Sequence, residues 1–255
     1  MPRVDNKTVI VTGGASGIGA ETARLLVREG GKVVIADLNE AAGKALAAEL
    51  GEAALFFRLD TTVESEWETC IAATLARFGG LHGVVNAAGV GVGGDVEEVP
   101  LEDFRRVYRI NGLGVFLGCK HGVLAMKGNP PDRPGSIVNI SSVLGLRGMG
   151  RAPAYAASKG AVRLLSKNVA IHCGTMGYPI RCNSVHPGWI DTPMIAPRLA
   201  TTIDNMTGRQ YLEGLHPMGR LGRPEEIARM ILFLISDESS FSTGAEFVAD
   251  GGVTA

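Results

Sequence analysis

Short β-branched runs and longer amphipathic stretches alternate along this chain of 255 residues. Lys7–Thr12 (KTVIVT), Lys32–Ala36 (KVVIA), Ala54–Leu59, Gly83–Asn86 (GVVN), Ser136–Ile140 (SIVNI), Ile180–Val185 and Glu246–Ala249 read as strands. Between them Ala20–Glu29, Glu40–Leu50, Glu64–Phe78, Leu101–Met126, Pro153–Met176 and Pro224–Ile235 read as helices. Gly30, Gly51 and Gly79 stand where helices end. The strand runs lack strict alternation, as expected of strands covered on both faces. Strand–helix alternation predicts right-handed crossovers, hence an α/β, doubly wound parallel sheet of about seven strands with helices on both faces. No linker, repeat or low-complexity stretch divides the chain, so one domain over 1–255 is expected.

Composition narrows the function classes. The 25 Lys and Arg balance 26 Asp and Glu, and no long basic run is present, so a nucleic-acid surface is not expected. No apolar run reaches about 18 residues, which argues against a membrane span. The start, Met1-Pro-Arg-Val-Asp-Asn-Lys7, lacks the apolar stretch of a signal peptide. Cysteines at 70, 119, 173 and 182 form no Cys-x-x-Cys pair, and the histidines show no ligand spacing. A cytoplasmic protein without a metal is the expectation. The 35 glycines are about twice the ordinary share and ask for tight turns or close backbone approaches.

The first of those turns carries chemistry. The first strand runs into Thr12-Gly-Gly-Ala-Ser-Gly-Ile-Gly19, where Gly13, Gly17 and Gly19 open the first helix. Missing Cβ atoms let a pyrophosphate approach the backbone, and a helix N-terminus offers it free N–H donors. Ser16 and Ile18 complete this loop. Asp37 ends the second strand, 18 residues after Gly19, near the spacing of a carboxylate that accepts ribose hydroxyls. A carboxylate repels a 2′-phosphate, and Ala15, Ser16, Leu38 and Asn39 offer no cation to hold one. The cofactor expected is NAD.

Tyr155 and Lys159 stand four residues apart on a helical stretch, hence on one face. A free phenol titrates near 10, too high for a good base, and a neighbouring ammonium favours its phenolate. The pair therefore suits acid/base work at a hydroxyl or carbonyl. Ser141 and Ser142 end a strand at the edge where ligands gather in open α/β sheets. The Ser142 hydroxyl can hold a substrate oxygen, whereas Ser141 reads equally as a polar strand end.

The loop Thr12–Gly19, Asn86-Ala-Ala-Gly89, Asn111, Ser142, Tyr155-x-x-x-Lys159 and Pro187-Gly188 occur in this order. Together they resemble the short-chain dehydrogenase/reductase family, in its single-domain, Rossmann-like branch. Asn39–Gly43, Ala45–Glu52 and Ser236–Ser240 look most like bacterial 3β/17β-hydroxysteroid dehydrogenases. The resemblance implies Tyr155 as catalytic acid/base and Lys159 as a ribose ligand that lowers the pKa of Tyr155. It implies that Ser142 polarises the substrate oxygen and that Asn111 holds a water in a proton relay from Lys159. For the cofactor it implies Asn86, Ala87 and Gly89 at the adenosine ribose, with Asp60 and Thr61 near the adenine. Pro187, Gly188, Ile190 and Thr192 would hold the nicotinamide end. Ala87 departs from the family's usual second asparagine, with a modest effect expected.

The substrate is read less directly. Trp189–Leu215 carries Met194, Ile195, Leu199, Ile203, Met206, Tyr211, Leu212 and Leu215, which suits either a lid over a hydrophobic alcohol or ketone, or ordinary packing. Val90, Val92, Val143, Leu144 and Leu146 add uncharged surface. Arg147, Arg151, Arg198 and Arg209 either flank the mouth or sit on the surface. The resemblance also implies a homotetramer built through the two long helices. An acyl-thioester reductase and an idle NAD-binding regulator are the rival readings. Asp37 argues against the first, which usually takes NADPH, and intact Ser142, Tyr155 and Lys159 argue against the second.

Overall fold

A computed structural model describes residues 2–203 and 205–255, without the Ile203 side chain. Seven strands form one parallel sheet: β1 (Thr8–Thr12), β2 (Lys32–Asp37), β3 (Ala54–Arg58), β4 (Gly83–Asn86), β5 (Gly135–Ile140), β6 (Ile180–Pro187) and, last in the chain, β9 (Glu246–Ala249). A separate hairpin pairs β7 (Thr202–Ile203) with β8 (Met206–Thr207). The large sheet runs β3-β2-β1-β4-β5-β6-β9. Winding reverses between β1 and β4, leaving a crevice beyond their carboxyl ends, the place where open α/β sheets bind ligands. Register brings Thr12 level with Ala36 and Asn86, Asn86 level with Asn139, and Ile140 level with Val185.

Both faces are covered, as the apolar runs demanded. Val9 and Val11 point to one face, where α1 (Gly17–Arg28) packs against α9 (Pro224–Ile235) through Ala23, Leu26, Ile227 and Ile231. Ile10 points to the other, under α3 (Glu64–Phe78), α5 (Gly114–Met126) and α6 (Pro153–Thr175). Trp67 is the largest side chain wholly buried there. The short α2 (Glu40–Leu50) covers β3 near the sheet edge.

Beyond shifts of one or two residues at strand and helix ends, the structure differs from the sequence expectation in three places. The helix expected over Leu101–Met126 is α4 (Leu101–Tyr108), a π-helical turn (Arg109–Leu113) and α5. Apolar periodicity runs through all three, so spacing alone cannot reveal the wider turn, a feature often found at functional sites. The phosphate-loop helix starts at Gly17 rather than Ala20, because Ser16 is extended and acts as N-cap position despite making no side-chain cap. Trp189–Leu215 also contains two short helices, α7 (Ala196–Leu199) and α8 (Gly208–Gly214), besides the hairpin. Of the glycines on the fourth helical stretch, Gly114 and Gly118 lie against Thr61 and Asn86, so a side chain there would collide, while Gly112 has room. Among the described residues no helix is long and apolar enough to cross a membrane.

Candidate active site

Two clefts open side by side along the carboxyl edge of the sheet. The larger, about 800 Å³, has Gly13, Ser16, Gly17, Ile18 and Gly19 as its floor. Asp37 and Leu38 form one end of it, Asp60 and Thr61 its side, and Ala87, Ala88 and Gly89 the opposite wall. The second, about 500 Å³, contains Ser142, Tyr155, Lys159, Pro187, Gly188 and Ile190. Ile18, Ala87, Gly89, Thr192 and Met194 line both, so one elongated molecule can reach from the first into the second.

The floor is a backbone cradle. Gly13 has φ +61°, and a Cβ there would lie 2.9 Å from the Ala88 main chain. A Cβ on Gly19 would overlap the Gly13 carbonyl oxygen. The first turn of α1 has neither a side-chain cap nor an acidic residue, so its N–H groups remain available to an anion. Thr12 Oγ1 accepts the N–H groups of Ala87 and Ala88, both at 3.1 Å, and ties the β4 loop to β1. At the far end Asp37 accepts Ala15 N–H at 3.0 Å and Asn39 N–H at 2.9 Å, which fixes a carboxylate at the rim. A dinucleotide fits this donor set: backbone N–H groups for phosphates and a carboxylate acceptor for ribose hydroxyls.

Several of the expected cofactor residues also make contacts within the protein. Asn86 is buried, and its amide donates to Asn139 Oδ1 at 2.8 Å inside the sheet instead of reaching the cleft wall. The Asp60 carboxylate is engaged by Thr62 N–H and Oγ1, at 2.9 and 2.8 Å. Thr61 carries the peptide whose carbonyl accepts the Trp67 indole at 3.0 Å. Thr192 closes over the loop, with its methyl 3.2 Å from where a Gly17 Cβ would be. Ala88, Pro193, Arg105, Arg106 and Arg109, which no sequence signal singles out as cofactor residues, also line the larger cleft. The arginines sit on and just after α4, where an amphipathic surface helix gives no hint of a neighbouring cleft.

Tyr155 stands in the first turn of α6, behind Pro153 at its start, where the positive helix end favours a phenolate. Lys159 lies one turn further, its ammonium 5.5 Å from the centre of the phenol ring. That ammonium donates to the Ile140 carbonyl at 2.7 Å rather than to the phenol. Burial dominates both groups: the phenol is pushed up to about 12, with the Ser142 hydroxyl acting the other way, and Lys159 is pushed down to about 8. For the phenol the direction is set by burial, while the Lys159 ammonium is directed at a main-chain oxygen. Ser141 is structural, its hydroxyl donating to the Lys159 carbonyl at 2.8 Å.

Asn111 sits inside the π-helical turn and is wholly buried. Its amide accepts Val90 N–H and donates to Val90 O, both at 2.9 Å, and donates to Ser158 Oγ at 3.1 Å. The side chain thus pins the loop after Gly89 to α6, with both amide N–H groups used and one acceptor position of Oδ1 left over. Two histidines, which show no pattern in the sequence, brace the site. His186 directs Nδ1 at the Ser142 carbonyl, 3.1 Å away, and Nε2 at Ser184 Oγ, 2.8 Å away. A carbonyl only accepts, so Nδ1 carries the proton, and burial holds the ring neutral by lowering its pKa. His216 donates from Nδ1 to Leu212 O and accepts Trp189 N–H at Nε2, joining α8 to the segment that follows β6.

The wall facing Tyr155 is apolar, with Val92, Val143, Leu144, Trp189, Met194 and Ile195. Leu212 packs inward and Met206 is exposed, so those two lie apart from the wall, and the Ile203 side chain lies outside the described residues. Of the four arginines singled out, Arg147 bonds the Val253 carbonyl and Arg209 pairs with Asp191. Arg151 and Arg198 line the pocket.

Comparison with known proteins agrees with this architecture. A family model described as enoyl-(acyl carrier protein) reductase matches residues 13–254. The 3-beta-hydroxysteroid dehydrogenase of Comamonas testosteroni is 43% identical over 251 residues, covering 98% of this chain and 97% of that protein. The 3-alpha-(or 20-beta)-hydroxysteroid dehydrogenase of Mycobacterium tuberculosis is 42% identical, covering 99% and 91%. An NADP-dependent (R)-specific alcohol dehydrogenase of Lentilactobacillus kefiri is 40% identical, covering 99% and 98%. With matches of this extent and the phosphate loop, Ser142, Tyr155 and Lys159 gathered on one sheet edge, the chain belongs to the short-chain dehydrogenase/reductase family.

Proposed function

We propose that the protein is an NAD-dependent oxidoreductase that interconverts a hydrophobic secondary alcohol and its ketone. The observation that carries this reading is the continuity of the two clefts, which sets an apolar pocket containing Ser142, Tyr155 and Lys159 at the end of a dinucleotide groove. The hydroxysteroid and alcohol dehydrogenases among its relatives support the substrate class. A nicotinamide dinucleotide, when bound, supplies the hydride acceptor or donor. Gly13, Ser16, Gly17, Ile18 and Gly19 hold its phosphates, Asp37 and Leu38 one ribose, and Pro187, Gly188, Ile190 and Thr192 its other end. Ser142 holds the substrate oxygen by a hydrogen bond while Tyr155 takes or gives its proton. Lys159 exchanges that proton onward. Asn111, with one acceptor position of Oδ1 left over, holds a water that passes the proton on from Lys159. A spectrophotometric screen with NAD(H) over hydroxysteroids, ring alcohols and 3-oxoacyl thioesters tests the reading. Turnover confined to the thioesters would replace it with the acyl reductase.

Cofactor choice follows from the Asp37 carboxylate. Arg105 and Arg106, the cations on α4 at the same cleft, are paired with Glu102 and Asp103. We expect kcat/KM to favour NAD(H) over NADP(H) by at least about tenfold, or about 1.4 kcal/mol. Asp37→Ser should shrink the ratio. A preference for NADP(H) in the unaltered protein overturns this assignment.

The pH dependence has a definite sign. Alcohol oxidation needs a group that can accept the phenol's proton. Below about 8 Lys159 is charged and cannot, and above it the amine is free. Oxidation should therefore rise with pH through about 8 and level off, while ketone reduction falls over the same range. Lys159→Arg, whose guanidinium stays charged, should remove that limb. A flat oxidation profile across this range in the unaltered protein argues against Lys159 as the proton partner.

The outer face of the two long helical stretches exposes Tyr108, Leu113, Phe116 and Leu164 around a shallow groove. A patch of this kind marks an interface. We expect light scattering to give the mass of a homotetramer or its constituent dimer. A monomer at micromolar concentration contradicts this.

A further inference from the structure

The pocket that faces Tyr155 holds three cations, Arg151, Lys159 and Arg198, and no carboxylate among its described lining residues. Two of the three are accounted for. Arg151 is held by Glu98 at 2.9 Å and Asp95 at 3.7 Å. Lys159 is tied to the Ile140 carbonyl and belongs to the reacting centre. Arg198, on α7, differs from both. Its guanidinium lies 5.1 Å from the centre of the Trp189 ring, and its Nε is buried without a hydrogen-bond partner among the described residues. No acidic side chain among the described residues pairs with it, although Arg209, eleven residues on, is matched by Asp191 and Glu213.

A guanidinium that lines an apolar pocket with no carboxylate beside it is costly to leave unpaired, so it calls for an anion. An aromatic face behind a guanidinium keeps the cation flat, and the two terminal nitrogens of such a cation match a carboxylate with two parallel hydrogen bonds. The ring of Trp189 supplies such a face, and the chain around it supplies an otherwise apolar wall from Met194, Ile195 and Pro197. In a pocket of low polarity such a pairing strengthens, because little water competes for either ion.

We infer that the natural substrate carries an anionic carboxylate on its hydrophobic frame, remote from the reacting carbinol, and that Arg198 receives it. The inference rests on the reading of this pocket as the alcohol site. It narrows "hydrophobic alcohol" to a hydroxy acid whose ring system lies against the apolar wall.

The test compares two frames, 4-hydroxycyclohexanecarboxylate and a hydroxysteroid with a side-chain carboxylate, each against its methyl ester, with NAD. The expected result is a kcat/KM ratio of acid to ester of about tenfold or more on at least one frame. Arg198→Leu should lower that ratio at least about tenfold, and Arg198→Lys, which keeps the charge but loses the fork, should restore part of it. The ratio cancels any general damage to the lid. A ratio near one in the unaltered protein on both frames, or one that Arg198→Leu leaves unchanged, overturns the inference while leaving the alcohol dehydrogenase reading intact. Absence of turnover with any of the four compounds and with the wider alcohol screen would instead defeat the dehydrogenase reading. The carboxylates are then titrated onto the protein loaded with NADH, followed by the fluorescence of Trp189. Binding that Arg198→Leu weakens about tenfold sustains the anion site, and equal binding by both proteins rejects it.

Discussion

Tyr155→Phe is expected to lower kcat for alcohol oxidation by about a thousandfold, within the range that a positioned acid/base contributes, while the NAD(H) dissociation constant stays within about threefold. The substitution removes one oxygen and keeps the ring that packs at the start of α6. That oxygen is hydrogen-bonded to the side chain of Ser142, whose hydroxyl also accepts Leu144 N–H at 3.1 Å. The fold therefore has little to lose, and the proton path has everything to lose. Stopped-flow turnover and a fluorescence titration of NADH, run on the same preparation, separate the two effects. Turnover near that of the unaltered protein removes Tyr155 from the mechanism, and a loss of cofactor binding in proportion to kcat would make it a cofactor ligand only.

The second large effect is expected at the phosphate loop. A methyl group at Gly19 would overlap the Gly13 carbonyl oxygen and crowd the Gly13 and Gly14 backbone. These are main-chain atoms of a tight strand-to-helix turn, which cannot rotate away as a side chain would. Gly19→Ala should weaken NAD(H) binding at least about a hundredfold, or about 2.7 kcal/mol, and lower the stability by about 1–3 kcal/mol, the ordinary cost of overpacking. Gly174→Ala is the control. It lies in the last turn of α6 with open space around its Cβ direction, and alanine there should be neutral or stabilising by up to about 1 kcal/mol. Calorimetric titration and thermal unfolding of both variants check this. Normal binding by Gly19→Ala would mean that the cofactor does not approach this turn.

Legibility varied from element to element for physical reasons. Glu40–Leu50, Glu64–Phe78, Gly83–Asn86, Pro224–Ile235 and Glu246–Ala249 have the boundaries their patterns predict, because Gly, Pro and caps punctuate them locally. The small strands and helices inside Trp189–Leu215 were not legible. Their runs are two to seven residues long, too short for a period to be counted. The π turn at Arg109–Leu113 was hidden because one extra residue per turn barely disturbs an apolar stripe. Within the site, Gly13, Gly19 and Asp37 could be found from spacing, since a phosphate turn and the end of the next strand are close in sequence. Asn86 was placed at the cofactor by motif, yet the pairing of β4 with β5 directs its amide to Asn139. His186 could have been suspected from its place beside Pro187, but nothing in the sequence says that it faces Ser142, 44 residues away.

By itself the sequence determined the parallel α/β architecture, the glycine-rich turn that opens α1 and the residue types proposed for the reacting centre. Each depends on neighbours within one strand, one turn or one helix face, where covalent geometry and hydrogen bonding act over a few residues. The tertiary structure alone decided which groups meet across the sheet edge. It turned the Lys159 ammonium toward Ile140, spent the Asn111 amide on Val90, paired Arg151 and left Arg198 against Trp189. Those outcomes depend on burial and on partners far away in the chain, and burial is what moves Tyr155 and Lys159 in opposite directions. Desolvation is a property of the packed molecule as a whole, so no reading of residues in order contains it.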